Sequence, residues 1–442
     1  VSGFGRAAQA AVYRAGVTGR RPLVPTDGHR LEAAARPHLS RRARAYVDGS
    51  AGAEATARAN LAAFDRHRVV PRVLAGHGGA DTSVELFGRR HPSPLLTAPM
   101  GVLSLAHRDA DVGLARGAAA QGVTHVISTQ ASVPMEQIVA RAPSDAGHWY
   151  QLYWSRDEDL AESLVRRAEA CGSEAVVVTL DTGHLAWRPR DLDLGHLPFA
   201  RGEGIAQYTS DPVFRQLVQQ RMAAAGRDTG GDAGSDAGSD GPTRPTPAAV
   251  AALVSMSRRH PGATAANLRS PEPRAAVQTF LDVFSRPDLS WADLPRLRRM
   301  TSLPVVVKGV LHPDDARRAV DLGVDGIQVS NHGGRQVDRS VAALDALPAV
   351  VAAVRAAGLQ VPVLFDSGIR CGADVFVALC LGATAVAVGR PLFHGLAIAG
   401  ADGVSEVLRN LRAELDLMMS LTGCASPADL TPDRLSRSGD DH

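Results

Sequence analysis

The chain has almost no lysine: of its 48 basic residues only Lys308 is one, and every other is an arginine. A GC-rich coding background accounts for the bias, so the surviving compact ammonium marks a place where the larger, planar guanidinium does not serve. Cysteine is also sparse. Cys171, Cys371, Cys380 and Cys424 lack the CxxC spacing of a zinc or redox pair and the density of a secreted disulfide scaffold, so reduced thiols and no metal are expected. The net charge of +2 is too small to imply nucleic acid or an anionic membrane as partner. No apolar run approaches the ~18 residues of a membrane span, and no basic segment leads into an apolar one near the start. Neither a span nor a signal peptide is read, and a cytoplasmic location is expected.

What is present, 442 residues with 45% hydrophobic and 21% charged, is enough for a sizeable core. An elaborated α/β barrel can hold that length as one unit. Residues 1–92 read as a helical extension without strands. Beyond it, short apolar runs alternate with amphipathic stretches. Strands are expected at 95–98, 125–128, 149–153, 175–180, 305–308, 326–330, 361–365 and 385–388, with helices such as 109–121, 157–170, 313–322 and 372–381 between them. Eight strands each followed by a helix imply a closed parallel (β/α)8 TIM barrel over 93–424. An open doubly wound sheet is disfavoured, because no Gly-x-Gly-x-x-Gly turn follows the first strand. The spacing breaks once, between the fourth and fifth strands, where an insertion at 183–288 carries its own helical segments at 211–225, 246–259 and 274–284. Within it, 226–245 is too poor in large apolar residues to repay ordering and reads as a flexible tether. Residues 425–442 read as a C-terminal tail.

In a barrel, chemistry belongs at the C-terminal strand ends, and a phosphate commonly sits after strands seven and eight. The sixth run ends Ser330-Asn-His-Gly-Gly-Arg-Gln336, which sets a potential base, His332, beside a fixed cation, Arg335. Strand seven ends Asp366-Ser367-Gly368-Ile369-Arg370 and strand eight ends Gly389-Arg390-Pro391. Backbone N–H groups beside two arginines make a phosphate cradle. The other ends supply Pro99, Met100, Gly101, Ser128, Gln151, Tyr153, Thr179, Asp181 and Lys308. A ring system that gains negative charge suits Lys308, and the whole set suits a reduced flavin with a phosphate tail.

These motifs, with Gln151-Leu-Tyr153, Thr179-Leu-Asp181 and Val307-Lys308-Gly309, closely resemble the FMN-dependent α-hydroxy acid oxidising family, in order from about residue 46 to 424. Segments such as Ala98-Pro-Met-Gly-Val102 and Asp211-Pro-Val-Phe214 are similar to its lactate 2-monooxygenase branch. The resemblance implies that His332, held by Asp181, removes the α-proton, that Arg188 and Arg335 clamp the carboxylate, and that Tyr153 and Tyr46 bond the hydroxyl or carboxylate. It also implies that Lys308 stabilises the reduced flavin, that Pro99, Met100, Gly101, Ser128, Gln151, Thr179 and Ser330 surround the ring and ribityl chain, and that the enzyme is a homotetramer. Oxygen is the expected acceptor, with oxidative decarboxylation of the bound keto acid as one outcome. A dehydrogenase serving a quinone or protein, and an inactive flavin-binding module, are the alternatives. Two positions depart from the pattern: Gln130 replaces a family Trp, and Gly183-His184 replace a bulky aromatic. Both enlarge the expected pocket beyond what lactate needs.

Overall fold

Each barrel strand is a short, mostly apolar run whose side chains alternate between the lumen and the surrounding helices. The computed structural model describes residues 3–75, 79–228, 246–358 and 360–437. Its central sheet contains β1 (Leu95–Thr97), β2 (His125–Ser128), β3 (His148–Leu152), β4 (Val176–Thr179), β5 (Val305–Val310), β6 (Gly326–Val329), β7 (Val363–Phe365) and β8 (Ala385–Val388). All neighbours are parallel, and β8 pairs with β1 through Val386 and Leu95. The remaining gap, between β1 and β2, is closed by a bridge from Leu96 to Thr124 and by the Thr97 hydroxyl, which accepts the N–H of Val126 at 3.0 Å. The fold is a (β/α)8 TIM barrel.

The barrel helices are α1 (Ala110–Ala119), α2 (Met135–Arg141), α3 (Glu158–Ala170), α4 (Leu294–Met300), α5 (Pro313–Asp321), α6 (Ala343–Ala356), α7 (Gly372–Cys380) and α8 (Arg390–Thr422). Their apolar faces pack on the outward strand residues in the larger core. The inward residues Leu96, Val126, Trp149, Val177, Val306, Leu364 and Ala387 form a second core inside the lumen. Burying an apolar side chain of that size contributes about 1.5–3 kcal/mol.

The extension at 1–92 is not free of strands, as the sequence reading expected. A hairpin, Val84–Leu86 paired with Arg89–His91, plugs the N-terminal end of the lumen, with Leu86 joining the inner core and the Phe87 ring 5.4 Å from that of Trp149. A further strand, His67–Val69, pairs antiparallel with Leu435–Arg437. Leu435–Arg437 of the expected C-terminal tail is therefore a strand of a small sheet. Three-residue strands rich in arginine and histidine carry no readable alternation.

The insertion has helices at Pro212–Asp228, Pro247–Arg259 and Glu272–Val283, held by a cluster in which Phe280 lies 5.3 Å from Phe199 and 4.8 Å from Tyr208. Beyond Asp228 the expected tether at 226–245 lies outside the described residues. Among the described residues no helix is long and apolar enough to cross a membrane.

Candidate active site

Two residues beyond each inner-core position, the inward side chain turns polar on six of the eight strands. Val126 is followed by Ser128, Trp149 by Gln151, Val177 by Thr179, Val306 by Lys308, Gly326 by Gln328 and Leu364 by Asp366. Strand alternation alone thus builds a polar ring at the C-terminal mouth. Lys308 is buried there and donates to Ser330 Oγ at 3.0 Å. Its Nζ lies 3.8 Å from Asp181 Oδ2 and 3.7 Å from Asp366 Oδ2. Burial pushes the ammonium down, but the two carboxylates outweigh it and raise its pKa. Asp366 is fixed in turn by Gln328 Nε2 at 2.6 Å and Ser330 Oγ at 2.7 Å.

His332 is set by an unusual backbone. His332, Gly333 and Gly334 all have positive φ, at 57°, 64° and 78°, and a Cβ on Gly334 would come within 2.6 Å of the Ala57 N. This turn carries the imidazole to Asp181, whose Oδ1 lies 2.9 Å from Nδ1. The Thr182 hydroxyl donates to the same oxygen at 2.8 Å. Asp181 is approached closely by Gly309, where a Cβ would come within 2.8 Å of the aspartate Cβ and φ is 105°. Burial pushes the Asp181 carboxyl up, yet Lys308 and His332 hold it well below the usual carboxylate range. Burial pushes the imidazole down, Asp181 opposes this and Lys308 adds to it, leaving His332 below its ordinary value. With Nδ1 facing a carboxylate, Nε2 is the free basic nitrogen.

Above this group lies a cavity open to solvent. It brings together most of the expected residues: Tyr46, Pro99, Met100, Gly101, Tyr153, Arg188, Lys308, His332, Arg335, Asp366, Ser367, Gly368, Arg370, Gly389 and Arg390. Asp181 stands behind His332, and Ser128, Gln151, Thr179 and Ser330 lie below in the polar ring rather than in the cavity wall. Arg188 donates to the Arg335 carbonyl at 3.1 Å and to Gln336 Oε1 at 2.7 Å. Arg335 stacks 4.9 Å from the Tyr46 ring centroid and donates to the carbonyls of Tyr46 and, at 2.9 Å, Gly49. Burial, then Arg335, pushes Arg188 down to about 10; burial pushes Tyr153 up to about 12.

Arg390, expected in the phosphate cradle, lines the cavity and is also tied to the residues around it. Its guanidinium donates to the carbonyls of Val47 and Gly333, both at 2.9 Å, and to Ser50 Oγ at 2.8 Å. Burial, with Arg335 and Arg370 beside it, pushes it down to about 9. Such crowding of cations is relieved by an anion.

Thr182, Gln328 and Gln336 escaped the sequence reading as site residues. Gln328 was recoverable, since it falls two places after Gly326 on the inward face. Gln336, which also donates to the Asp181 carbonyl at 2.9 Å, shows no such signal. Outside the site, His29, Cys371 and Asp374 offer ligand atoms within 4.8 Å of one another, but Asp374 already accepts the N–H groups of Arg370 at 2.7 Å and Cys371 at 3.1 Å as a helix cap.

The cavity fits a flavin mononucleotide. Gln151 Nε2 and Thr179 Oγ1 are buried without partners, as donors and acceptors awaiting a ring edge. At Gly389 a Cβ would meet nothing nearer than Ala98 Cβ at 3.5 Å, so the glycine leaves open space at the start of α8 beside the crowded arginines.

Comparison with known proteins agrees. The family model for FMN-dependent dehydrogenase matches residues 35–437. The chain is 40% identical over 437 residues to the FMN-dependent alpha-hydroxy acid dehydrogenase qulF of Penicillium citrinum, covering 98% of this chain and 96% of that protein. It is 36% identical over 381 residues to an L-lactate oxidase of Lysinibacillus sphaericus, covering 86% and 85%. Among solved structures, mandelate oxidase with (S)-4-hydroxymandelic acid aligns with a TM-score of 0.73 at 35% identity, covering 94% of this chain and 99% of that one. The chain belongs to the FMN-dependent dehydrogenase family, as an enzyme that uses FMN to oxidise α-hydroxy acids.

Proposed function

We propose that the protein oxidises an L-2-hydroxy acid bulkier than lactate to the 2-keto acid, with oxygen as the final acceptor. The observation that carries this is the Asp181–His332 pair, an imidazole locked by a carboxylate beside Lys308 and two arginines. Arg188 and Arg335 hold the carboxylate, and Tyr153, with Tyr46 beside Arg335, bonds the hydroxyl or carboxylate. His332 Nε2 then takes the α-proton, and Asp181 stabilises the resulting imidazolium through Nδ1. Bound FMN supplies the two-electron acceptor. Lys308, buried in the polar ring, supplies the counter-charge that the reduced flavin needs. Gln151, Thr179 and Ser128 serve the ring, Pro99, Met100 and Gly101 its face, and Asp366, Ser367, Gly368, Arg370, Gly389 and Arg390 the phosphate end.

Two measurements test the reading. Anaerobic mixing with a panel of hydroxy acids should bleach the flavin; no bleaching by any of them sinks the reaction. Arg390→Glu should lose FMN, because it sets a negative charge where the phosphate belongs, and a variant that keeps its yellow colour would remove Arg390 from the cradle.

A second outcome is supported by the insertion, which contributes Leu185, Arg188 and Phe199 to the cavity and so covers it. A keto acid retained under this cover meets the hydrogen peroxide formed from oxygen and leaves as the acid shortened by one carbon, with carbon dioxide and water. The ratio of shortened acid to keto acid under air, with catalase present, decides between release and decarboxylation. Assembly as a homotetramer belongs to the same reading and is checked by the solution mass of the loaded enzyme.

A further inference from the structure

A second chamber lies at the C-terminal end of β4, where the chain returns from the insertion. It shares Tyr153 and Thr182 with the site cavity. Its far wall is apolar, made by Trp154, Leu180, Leu289, Trp291 and Leu294, and the Trp291 ring is fixed by the Arg318 guanidinium 5.3 Å from its centroid. Arg286, the charged residue of the wall, offers nothing to an anion, because Glu158, Asp288 and Asp293 hold it at 3.3, 3.5 and 3.2 Å.

Gly183 stands where the two spaces approach. Its φ is not in the left-handed region, and a Cβ there would meet nothing nearer than Pro287 Cα at 3.5 Å. Neither backbone nor packing requires a glycine, so its effect is to leave the chamber unfilled. The reaction proposed above places three groups on the α-carbon: the proton at His332, the carboxylate at the arginines and the hydroxyl at Tyr153. The fourth, the substrate's side chain, has either the wall around Gln130 or the chamber.

We propose that this chamber receives that side chain, an uncharged aryl or branched alkyl group, and that Gly183 sets how much of it can enter. The inference rests on the proposed reaction and adds the substrate's chemical class to it. Apolar rings on the far wall reward an apolar group, and the engaged Arg286 gives no reward to a second carboxylate.

The test uses the FMN-loaded enzyme and its Gly183→Ala, Gly183→Leu and Gly183→Phe variants, with Gln130→Phe as the alternative wall. Flavin reduction is followed anaerobically with lactate, 2-hydroxy-4-methylpentanoate and mandelate. The expected result is a graded loss of kcat/KM for the two bulky acids, about 30-fold or more at Gly183→Phe, with lactate within about 3-fold of wild type. Binding of phenylacetate, which cannot be oxidised at a hydroxyl it lacks, is read from the flavin spectrum and should weaken in the same order. Equal losses for lactate and mandelate, no loss for either, or discrimination by Gln130→Phe alone would overturn the assignment. Wild-type flavin that no hydroxy acid reduces overturns the reaction itself, a failure visible before any variant is made.

Discussion

The two ends of the barrel lumen are built from the same strands and differ by two residues of chain. At the N-terminal end Val126, Trp149, Val177, Val306 and Leu364 pack with Leu86 of the plugging hairpin into an apolar core. At the C-terminal end, beside Ser128, Lys308 and Asp366, Gln151 Nε2, Thr179 Oγ1 and Asp181 Oδ2 are buried without hydrogen-bond partners. Positive φ occurs at both ends, at His332 and Ser367 by the mouth and at Phe87 in the hairpin. Unsatisfied groups and strained residues each cost stability, and the packed end offsets them. One end holds the barrel shut; the other is kept ready for ligands.

Substitutions on one strand separate the ends. Lys308→Met should slow flavin reduction at least about 100-fold, roughly 3 kcal/mol of barrier, because a buried donor to developing charge is lost; rapid mixing without oxygen measures it, and near-normal reduction would leave the lone lysine without a chemical role. Two residues earlier, Val306→Ala should lower unfolding stability by about 2 kcal/mol through lost burial and the cavity left behind. Its reduction rate should stay within about 2-fold of wild type, and a rate that falls with the melting temperature would show that the two ends are not separable.

The smallest effect concerns pH, and it sharpens the comparison within the polar end. His332 is held below its ordinary pKa, first by burial and also by Lys308, against the opposing pull of Asp181. The acid limb of kcat/KM, which reports the base in the free enzyme, should therefore lie below the ordinary histidine range. Removing the raising influence with Asp181→Asn should move the limb to lower pH, whereas Lys308→Met should move it to higher pH. Shifts in the same direction would break the assignment of His332 as the titrating base.

The lumen explains why so much was legible beforehand. Inward and outward faces both demand apolar residues for most of each strand, so β2 and β8 were read with their observed ends, and polar residues at the next inward step pointed to the mouth. Where backbone geometry intervenes, reading fails. β5 runs on to Val310 across a register shift between Lys308 and Val310, at Gly309 with its positive φ, and the expected strand stopped at 308. β3 begins one residue before the expected run, at His148, whose ring lies 3.1 Å from the Cys171 carbonyl, a tertiary contact that no local pattern announces. The attachments of Arg335 and Arg390 to residues 46–50 are equally hidden, since they join segments far apart in the chain, mostly through backbone carbonyls that any sequence would supply.

The small sheet formed by His67–Val69 and Leu435–Arg437 sets an order on the making of the molecule. Chains leave the ribosome from their N-terminal end, so the first of these strands emerges before any barrel strand and its partner after all of them. Throughout synthesis its edge has no native mate, the condition in which strands pair with other molecules. His67, Arg68 and Arg437 put charge or polarity on this pair, and charged edges resist such pairing. The composition that hides the strand from pattern reading is thus what lets it wait.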